Sequence, residues 1–407
     1  MKKVVVLGGT NDHIYLLKRL KSRGFKTILI DYLENPPAKK YADVFLREDI
    51  YNKDKVLEIS KKNKINLIIS VCIDQALPVV SYVSEKMKLP NYLSYEKALA
   101  ITDKVLMKKK FIENKVSTSK CIFLKEKLIK NKELAELTYP VVVKPADLNS
   151  SKGVRKAKDF GQLKRFFDEA IKISRSKKVV IEEFKEGREL SVDIILQGQE
   201  PIILAISENK KNKKEKNNFT IVHSVSYQAN NLLISEIKKN VRKIAQAFDL
   251  KNVPLLVQLI AKNNEVSIIE FSARVGGGSK YYYIKKMAGV DVVDYLIKVV
   301  LKEKLNFKIK PSNNYVAMNY IYTKPGVFRD IVGYKELLKD RTIDQLFFYK
   351  TKGSVITSNT ASSDRPAGFM VVAKDKKELK EKIRKADKNL KILNNDKKDI
   401  MLHRLYG

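Results

Sequence analysis

Hydrophobic and polar positions change period several times along the chain. Residues 3 to 7 (KVVVL) form an apolar run that meets Gly8-Gly9-Thr10. A helical period follows through Ile14, Leu17 and Leu20, and a second apolar run ends at Asp31. This strand, glycine turn, helix and strand form one α/β unit. A helix at Lys53 to Lys62 leads to a strand at Leu67 to Val71, with Asp74 and Gln75 just past its carboxyl end, where open α/β sheets place ligands. From Tyr95 to Lys115 the pattern is helical, with Asp103-Lys104 inside it. Beyond a lysine-rich linker lies a buried strand, Tyr139 to Pro145, then a small polar turn, Asp147 to Val154. Val179 to Glu183 reads as a strand that runs into Phe184 to Asp193 as a hairpin. Asp291 to Leu301 is an apolar-periodic helix, Tyr315 to Tyr322 alternates as a strand, Gly353 to Ser358 and Gly368 to Ala373 follow, and Lys376 to Leu390 is a charged helix. No internal repeat is evident.

The segment from Pro254 to Gly278, PLLVQLIAKNNEVSIIEFSARVGGG, reads as a hairpin whose end carries chemistry. Glu270, Ser272 and Arg274 alternate with Phe271 and Ala273, so a period of two puts the three polar groups on one face. Gln258 is the one polar residue of the preceding apolar strand, and an odd-numbered loop around Asn263-Asn264 would set it opposite Glu270. Two facing oxygen donors suit a hard divalent cation that leaves its other positions to water and phosphate. An arginine two residues on suits a phosphate or a carboxylate, which its planar fork can hold. The plainer reading is a hairpin whose polar face meets water.

Length allows two to four domains. No apolar run reaches membrane-spanning length and the first residues enter a strand, so the expectation is a cytoplasmic protein. Two cysteines, Cys72 and Cys121, and three histidines are too few for a disulfide framework or a thiolate or histidine metal centre. The formal charge of +35 comes mostly from lysines spread over the whole chain. Arginine, the better base reader, is scarce, so no specific nucleic-acid partner is expected. The densest run, Asn209 to Lys216, reads as a solvated loop.

Lys144 closes a buried strand ahead of a loop containing Ser and Gly, an arrangement that offers a triphosphate one fixed cation and backbone N–H groups; a strand-end lysine reaching for solvent is the alternative. In order, the chain reads Asp103-Lys104, VVVKP, Ser-Ser-Lys-Gly, VVIEEFKEGREL, then the Gln258/Glu270 hairpin ending in SARVGGG. It thereby resembles the ATP-grasp superfamily of carboxylate-amine ligases, in particular its L-amino acid ligase and purine-biosynthetic branches. The resemblance implies an α/β fold, α+β in its central part. Residues 1–95 would be a Rossmann-like pre-ATP-grasp domain, 96–305 an ATP-grasp domain with a mobile lobe at about 118–186, and 306–407 a small α+β domain. ATP as co-substrate and Mg2+ or Mn2+ are implied as well. By the same resemblance Lys104 and Lys144 reach phosphates and Ser150, Ser151, Lys152 and Gly153 form the covering loop. Glu182, Glu183 and Phe184 recognise adenine, and Glu189 takes the ribose hydroxyls. Gln258 and Glu270 hold metal, while Arg274, Gly276, Gly277 and Gly278 meet the acyl phosphate or substrate carboxylate. Asp74 is a substrate contact from the first domain, with a helix N-cap as its alternative. The superfamily commonly has glutamate in place of Gln258 and asparagine in place of Ser272, so the metal site here carries less negative charge.

With no triad or reactive cysteine in view, the implied chemistry is positional. A carboxylate attacks the γ-phosphate, an acyl phosphate forms, and an amine displaces phosphate, with Lys144 and Arg274 stabilising the charge. A carbamoyl-phosphate or purine-pathway reaction of the same logic, or an inactive nucleotide-binding relative, are the alternatives. Partners are small-molecule carboxylate and amine substrates, with a homodimer left open. His223 and Tyr281, Tyr282 and Tyr283 read more readily as packing than as site residues, and Arg365 is a candidate pointing in from the last domain.

Overall fold

The computed structural model describes residues 1–125, 134–148, 152–212, 219–358 and 361–406. Strands β1 (Lys3–Leu7), β2 (Lys26–Asp31), β3 (Val44–Arg47) and β4 (Leu67–Ile69) make a parallel sheet of order β3-β2-β1-β4, flanked by α1 (Asn11–Ser22), α2 (Lys53–Asn63) and α3 (Ala76–Met87). Val4 and Val6 pack with Leu16, Leu17 and Leu20 of α1, while Val5 and Leu7 pack with Val79, Val80 and Val83 of α3. Both faces of the sheet are covered, which is why its strands are unbroken apolar runs. The chain passes from β1 to β2 and β3 on one side and crosses to β4 on the other. Gly8 and Asp74 therefore follow the carboxyl ends at the switch point.

Two helices, α4 (Tyr95–Thr102) and α5 (Lys104–Glu113), replace the continuous helix expected from 95 to 115. Asp103 is extended (φ −91°, ψ 113°), and its Oδ1 accepts from the N–H groups of Val105 (2.8 Å) and Leu106 (3.2 Å). An aspartate that competes for backbone donors in this way ends one helix and caps the next. The break turns Lys104 toward the interior.

A lobe follows, with antiparallel order β5-β8-β6-β7 from β5 (Cys121–Lys125), β6 (Val141–Pro145), β7 (Arg155–Ala157) and β8 (Lys178–Glu183). Leu163, Phe166, Phe167 and Ala170 of α6 (Phe160–Ile173) pack on its Val141, Val143, Val179 and Ile181. The chain then enters a second sheet through β9 (Arg188–Gln197). The hairpin expected between β8 and β9 does not form: β8 pairs with β5 and β6, and β9 with β10 (Glu200–Lys211) and β12 (Pro254–Lys262). Residues 184–187 instead cross from sheet to sheet. At Gly187 (φ +145°) a Cβ would lie 2.5 Å from the Ala261 carbonyl oxygen, so glycine lets the crossing press against β12.

The second sheet has order β13-β12-β9-β10-β11-β14-β19-β17, adding β11 (Ile221–Ser226), β13 (Glu265–Ser272), β14 (Tyr315–Tyr320), β17 (Gln345–Phe348) and β19 (Ala367–Ala373). It continues across residues 305 and 306, where a domain boundary was expected. Helix α7 (Asn231–Ala247) covers one face, and α8 (Lys280–Ala288) and α9 (Val292–Val300) lie near the other domain's α1. Two short ribbons, β15 (Gly326–Val327) with β18 (Val355–Ile356) and β16 (Asp330–Val332) with β20 (Lys391–Leu393), close the C-terminal part with α10 (Tyr334–Lys339) and α11 (Lys376–Asn389).

The β12–β13 turn departs from the expected odd loop. Asn263 and Asn264 (φ 50° and 66°) form a two-residue turn that pairs Lys262 with Glu265. A bulge then shifts the register: Leu259 faces Ile268, but Gln258 faces Glu270. Val266 and Ile268 before the bulge and Phe271 and Ala273 after it all join the core under α7, leaving Glu270, Ser272 and Arg274 to the opposite face. Of the lysine-rich run, Asn209, Lys210 and Lys211 belong to β10 and not to a solvated loop, while residues 213–216 lie outside the described residues. Among the described residues no helix is long and apolar enough to cross a membrane.

Candidate active site

The polar face of the large sheet and the edge of the lobe meet around α5. The β12–β13 ladder places Gln258 beside Glu270, and Gln258 is paired across its other edge with Ser191 of β9. Lys104, at the first turn of α5, donates to the Leu148 carbonyl (2.5 Å), and its Nζ lies 3.7 Å from Glu270 Oε2. A cavity runs between them, bordered by Asp74, Lys104, Gln258, Glu270, Ser272 and Arg274. Of the phosphate loop expected at 150 to 153, Ser150 and Ser151 lie outside the described residues. Lys152 is exposed, and Gly153 (φ +71°) packs where a Cβ would be 2.5 Å from Ile173.

Lys144 does not reach for solvent. It is buried, and its Nζ donates to Glu182 Oε1 at 2.6 Å, while Glu182 Oε2 lies 3.0 Å from the equally buried Lys108. Burial raises the Glu182 carboxyl, but the two ammonium groups more than offset this and hold it at about 2. Glu183 is turned outward to Lys185 (3.1 Å) and the Thr138 N–H (3.2 Å). Phe184 carries Lys156 over its ring at 3.4 Å, and its backbone N–H is taken by the Pro140 carbonyl. Glu189 meets Lys211 at 2.5 Å and accepts from Asn209, which also bridges Ser191 and Ser224.

Asp74 reaches across from the first domain. It does not cap α3, whose N-cap is Gln75. Its two oxygens accept from Arg274 Nε (2.8 Å) and Nη2 (2.6 Å), and Ser272 Oγ donates to it as well. Burial raises the Asp74 carboxyl, and the guanidinium, the hydroxyl and Lys104 bring it below its ordinary range. The arginine expected to hold a substrate anion thus has an internal carboxylate on its fork. Gly276 and Gly278 pack tightly: added Cβ atoms would lie 2.9 Å from Lys280 Cγ and 2.8 Å from Tyr320 Oη, while at Gly277 one would lie 3.6 Å from Cys72.

His223 is buried, and desolvation pulls it down to about 4, which leaves it neutral and structural. Tyr281 stacks on Tyr15, Tyr282 bonds Asp344 and Tyr283 bonds the Ile206 carbonyl, so these rings pack. Arg365 lies over the Tyr320 ring (3.9 Å) and donates to Tyr322 Oη, the Ile221 carbonyl and Ser362. Burial pushes the thiols of Cys72 and Cys121 up, so neither is poised as a thiolate.

Lys108 and the buried pair Lys280 with Asp193 (3.4 Å) had no place in the sequence reading, and Lys211 entered it only as part of the solvated run. Of these only Lys108 had a usable signal, standing one helical turn beyond Lys104 on the same helix. Among the described residues no three His, Cys, Asp or Glu side chains converge on a metal position. One carboxylate and one amide oxygen side by side, Glu270 and Gln258, do fit a magnesium ion that shares the rest of its shell with phosphate and water.

Residues 137–281 match the family model described as an ATP-grasp domain. The L-amino acid ligase of Bacillus licheniformis is similar in structure with a TM-score of 0.80 at 19% identity, over 97% of this chain and 99% of that one. Phosphoribosylglycinamide synthetase of Anaerococcus prevotii aligns with a TM-score of 0.76 at 23% identity, over 97% and 100%. Human mitochondrial carbamoyl-phosphate synthase [ammonia] is 27% identical over 193 residues, 47% of this chain but 13% of that protein, so the chain spans a small part of that curated relative. Residues 137–281 are thus similar to an ATP-grasp domain, and the fold of nearly the whole chain is that of these solved structures.

Proposed function

We propose that the chain is an ATP-dependent ligase that joins a carboxylate, most simply that of an amino acid, to an amine through an acyl phosphate, releasing ADP and phosphate. The observation that carries this reading is the in-register pair Gln258 and Glu270, facing Lys104 and bordered by Arg274 in one cavity. In this arrangement Lys144 and Lys104 hold the phosphates and orient them, and Glu189 receives the ribose. Arg274 meets the carboxylate that attacks the γ-phosphorus, with ADP leaving as the acyl phosphate forms. The amine then adds to the acyl carbon and phosphate departs. Magnesium carried by Glu270 and Gln258 supplies charge neutralisation to the phosphates when bound. Exclusion of water by the lobe protects the activated acid from hydrolysis.

A second reading takes bicarbonate as the carboxylate, prompted by the likeness to carbamoyl-phosphate synthase over 47% of the chain. ADP release measured against a panel of amino acids, singly and in pairs, and against bicarbonate with ammonia separates the two. Turnover that needs two amino acids or an amino acid and an amine supports the first reading, and turnover on bicarbonate with ammonia, without any amino acid, supports the second. An absence of turnover with every substrate, despite nucleotide binding, would point to an inactive relative.

A further inference from the structure

Lys108 takes no part in the chemistry above, yet its ammonium is buried at the seam between lobe and sheet. It donates to Thr118 Oγ1 (2.5 Å) and to the Ile268 carbonyl of β13 (3.3 Å), and lies 3.0 Å from Glu182 Oε2 of β8. Thr118 in turn donates to the same Ile268 carbonyl at 2.7 Å, so the ammonium position is tied to the large sheet from two directions. Glu182 is shared, because Lys144 holds its other oxygen at 2.6 Å. Two ammonium groups and one carboxylate, each 6% exposed or less, leave a surplus of one positive charge in a place largely closed to water. A surplus buried charge is costly unless an anion answers it. Lys104 does not share this cluster, since its partners are the Leu148 carbonyl and Glu270.

The surplus matters when a phosphate arrives. Lys144 can turn to that phosphate only by loosening its hold on Glu182, and a buried carboxylate left alone would oppose the move by several kcal/mol. A second cation already anchored to the other oxygen removes that penalty. We propose that Lys108 is a positioning residue that keeps Glu182 paired while Lys144 passes from that carboxylate to a phosphate of the bound nucleotide. This rests on the nucleotide-binding reading given above.

Calorimetry on the full chain with magnesium present, using ADP and adenosine as probes, tests the hand-over. Lys108→Met should weaken ADP roughly 100-fold while leaving adenosine affinity unchanged. Adding Glu182→Gln to that variant removes the charge that needs a partner, and ADP affinity should return to within about tenfold of wild type. The proposal is overturned if Lys108→Met weakens both probes alike, if it leaves ADP unaffected, or if the double variant binds ADP no better than the single one. Should Lys108→Met fail to fold, Glu182→Gln alone decides. The hand-over then requires the preference for ADP over adenosine to match or exceed that of wild type, and a tenfold fall contradicts it. A wild-type chain that binds neither probe overturns the nucleotide reading itself, a result distinct from any of these.

Discussion

Two buried charge clusters, one in the lobe and one at the edge of the large sheet, differ in their sums. At the lobe, Lys108 and Lys144 share Glu182, leaving one positive charge over. At the sheet edge, Arg274 and Asp74 meet one to one, with Ser272 adding a hydroxyl, and the fork of the guanidinium is already satisfied. The second cluster spans 200 residues of sequence and joins the first domain to the end of β13, so in the ligand-free chain it acts as a clamp. The comparison shows that a buried arginine is not by itself a waiting anion site. An anion is invited where cations outnumber acids, whereas at Arg274 it must displace Asp74.

The largest expected effect separates chemistry from clamping. Glu270→Ala should reduce ADP release by at least about 100-fold with the melting midpoint unchanged, since this carboxylate is only partly buried and its nearest cation is 3.7 Å away; retained turnover would remove the metal assignment. Asp74→Ala should behave in the opposite way on stability, costing about 3 kcal/mol in denaturant unfolding because it strands a buried guanidinium. A variant as stable as wild type would show that the pair is not a clamp.

The lobe cluster should also respond to acid. Its shared carboxyl is held at about 2, below the ordinary 4.5. The stability it lends is therefore complete above pH 4.5 and is lost as the pH falls toward 2, because the unfolded chain takes up the proton first. Glu182→Gln should flatten that part of the stability curve, and an unaltered acid limb would contradict the assignment. The smallest effect is expected beside the ribose acid. Lys211→Met, which frees Glu189, should change ADP affinity by a few fold, and Lys210→Gln, whose partner is the outlying Glu208, should not. Equal effects would return both lysines to the solvated run that composition suggested.

Much of the fold was legible because periodicity and glycine turns are local. The first parallel sheet, the helix after Gly8-Gly9 and the strand before Pro145 all follow from runs of a few residues. What escaped depends on which sheet a strand joins. Val179 to Glu183 and Arg188 to Gln197 look like the two arms of a hairpin, yet each completes a different sheet, and nothing in their patterns distinguishes the two cases. Gln258 does stand opposite Glu270, but through a bulge and not an odd loop, since an Asn-Asn turn accepts positive φ at both positions. The site's residue types could be read from the order of motifs, while their partners could not. Asp74 on Arg274, Lys211 on Glu189 and Lys108 on Glu182 are tertiary pairings between charges that look like solvated surface in a lysine-rich chain.

The central claim is that the cleft between lobe and sheet grips an adenine nucleotide by its phosphates. Titrating the wild-type chain and Lys144→Met with ADP in the presence of magnesium addresses it directly. The account predicts saturable one-to-one binding by wild type that is severely weakened in the variant, and it is contradicted if wild type gives no heat of binding or if the variant binds ADP as tightly.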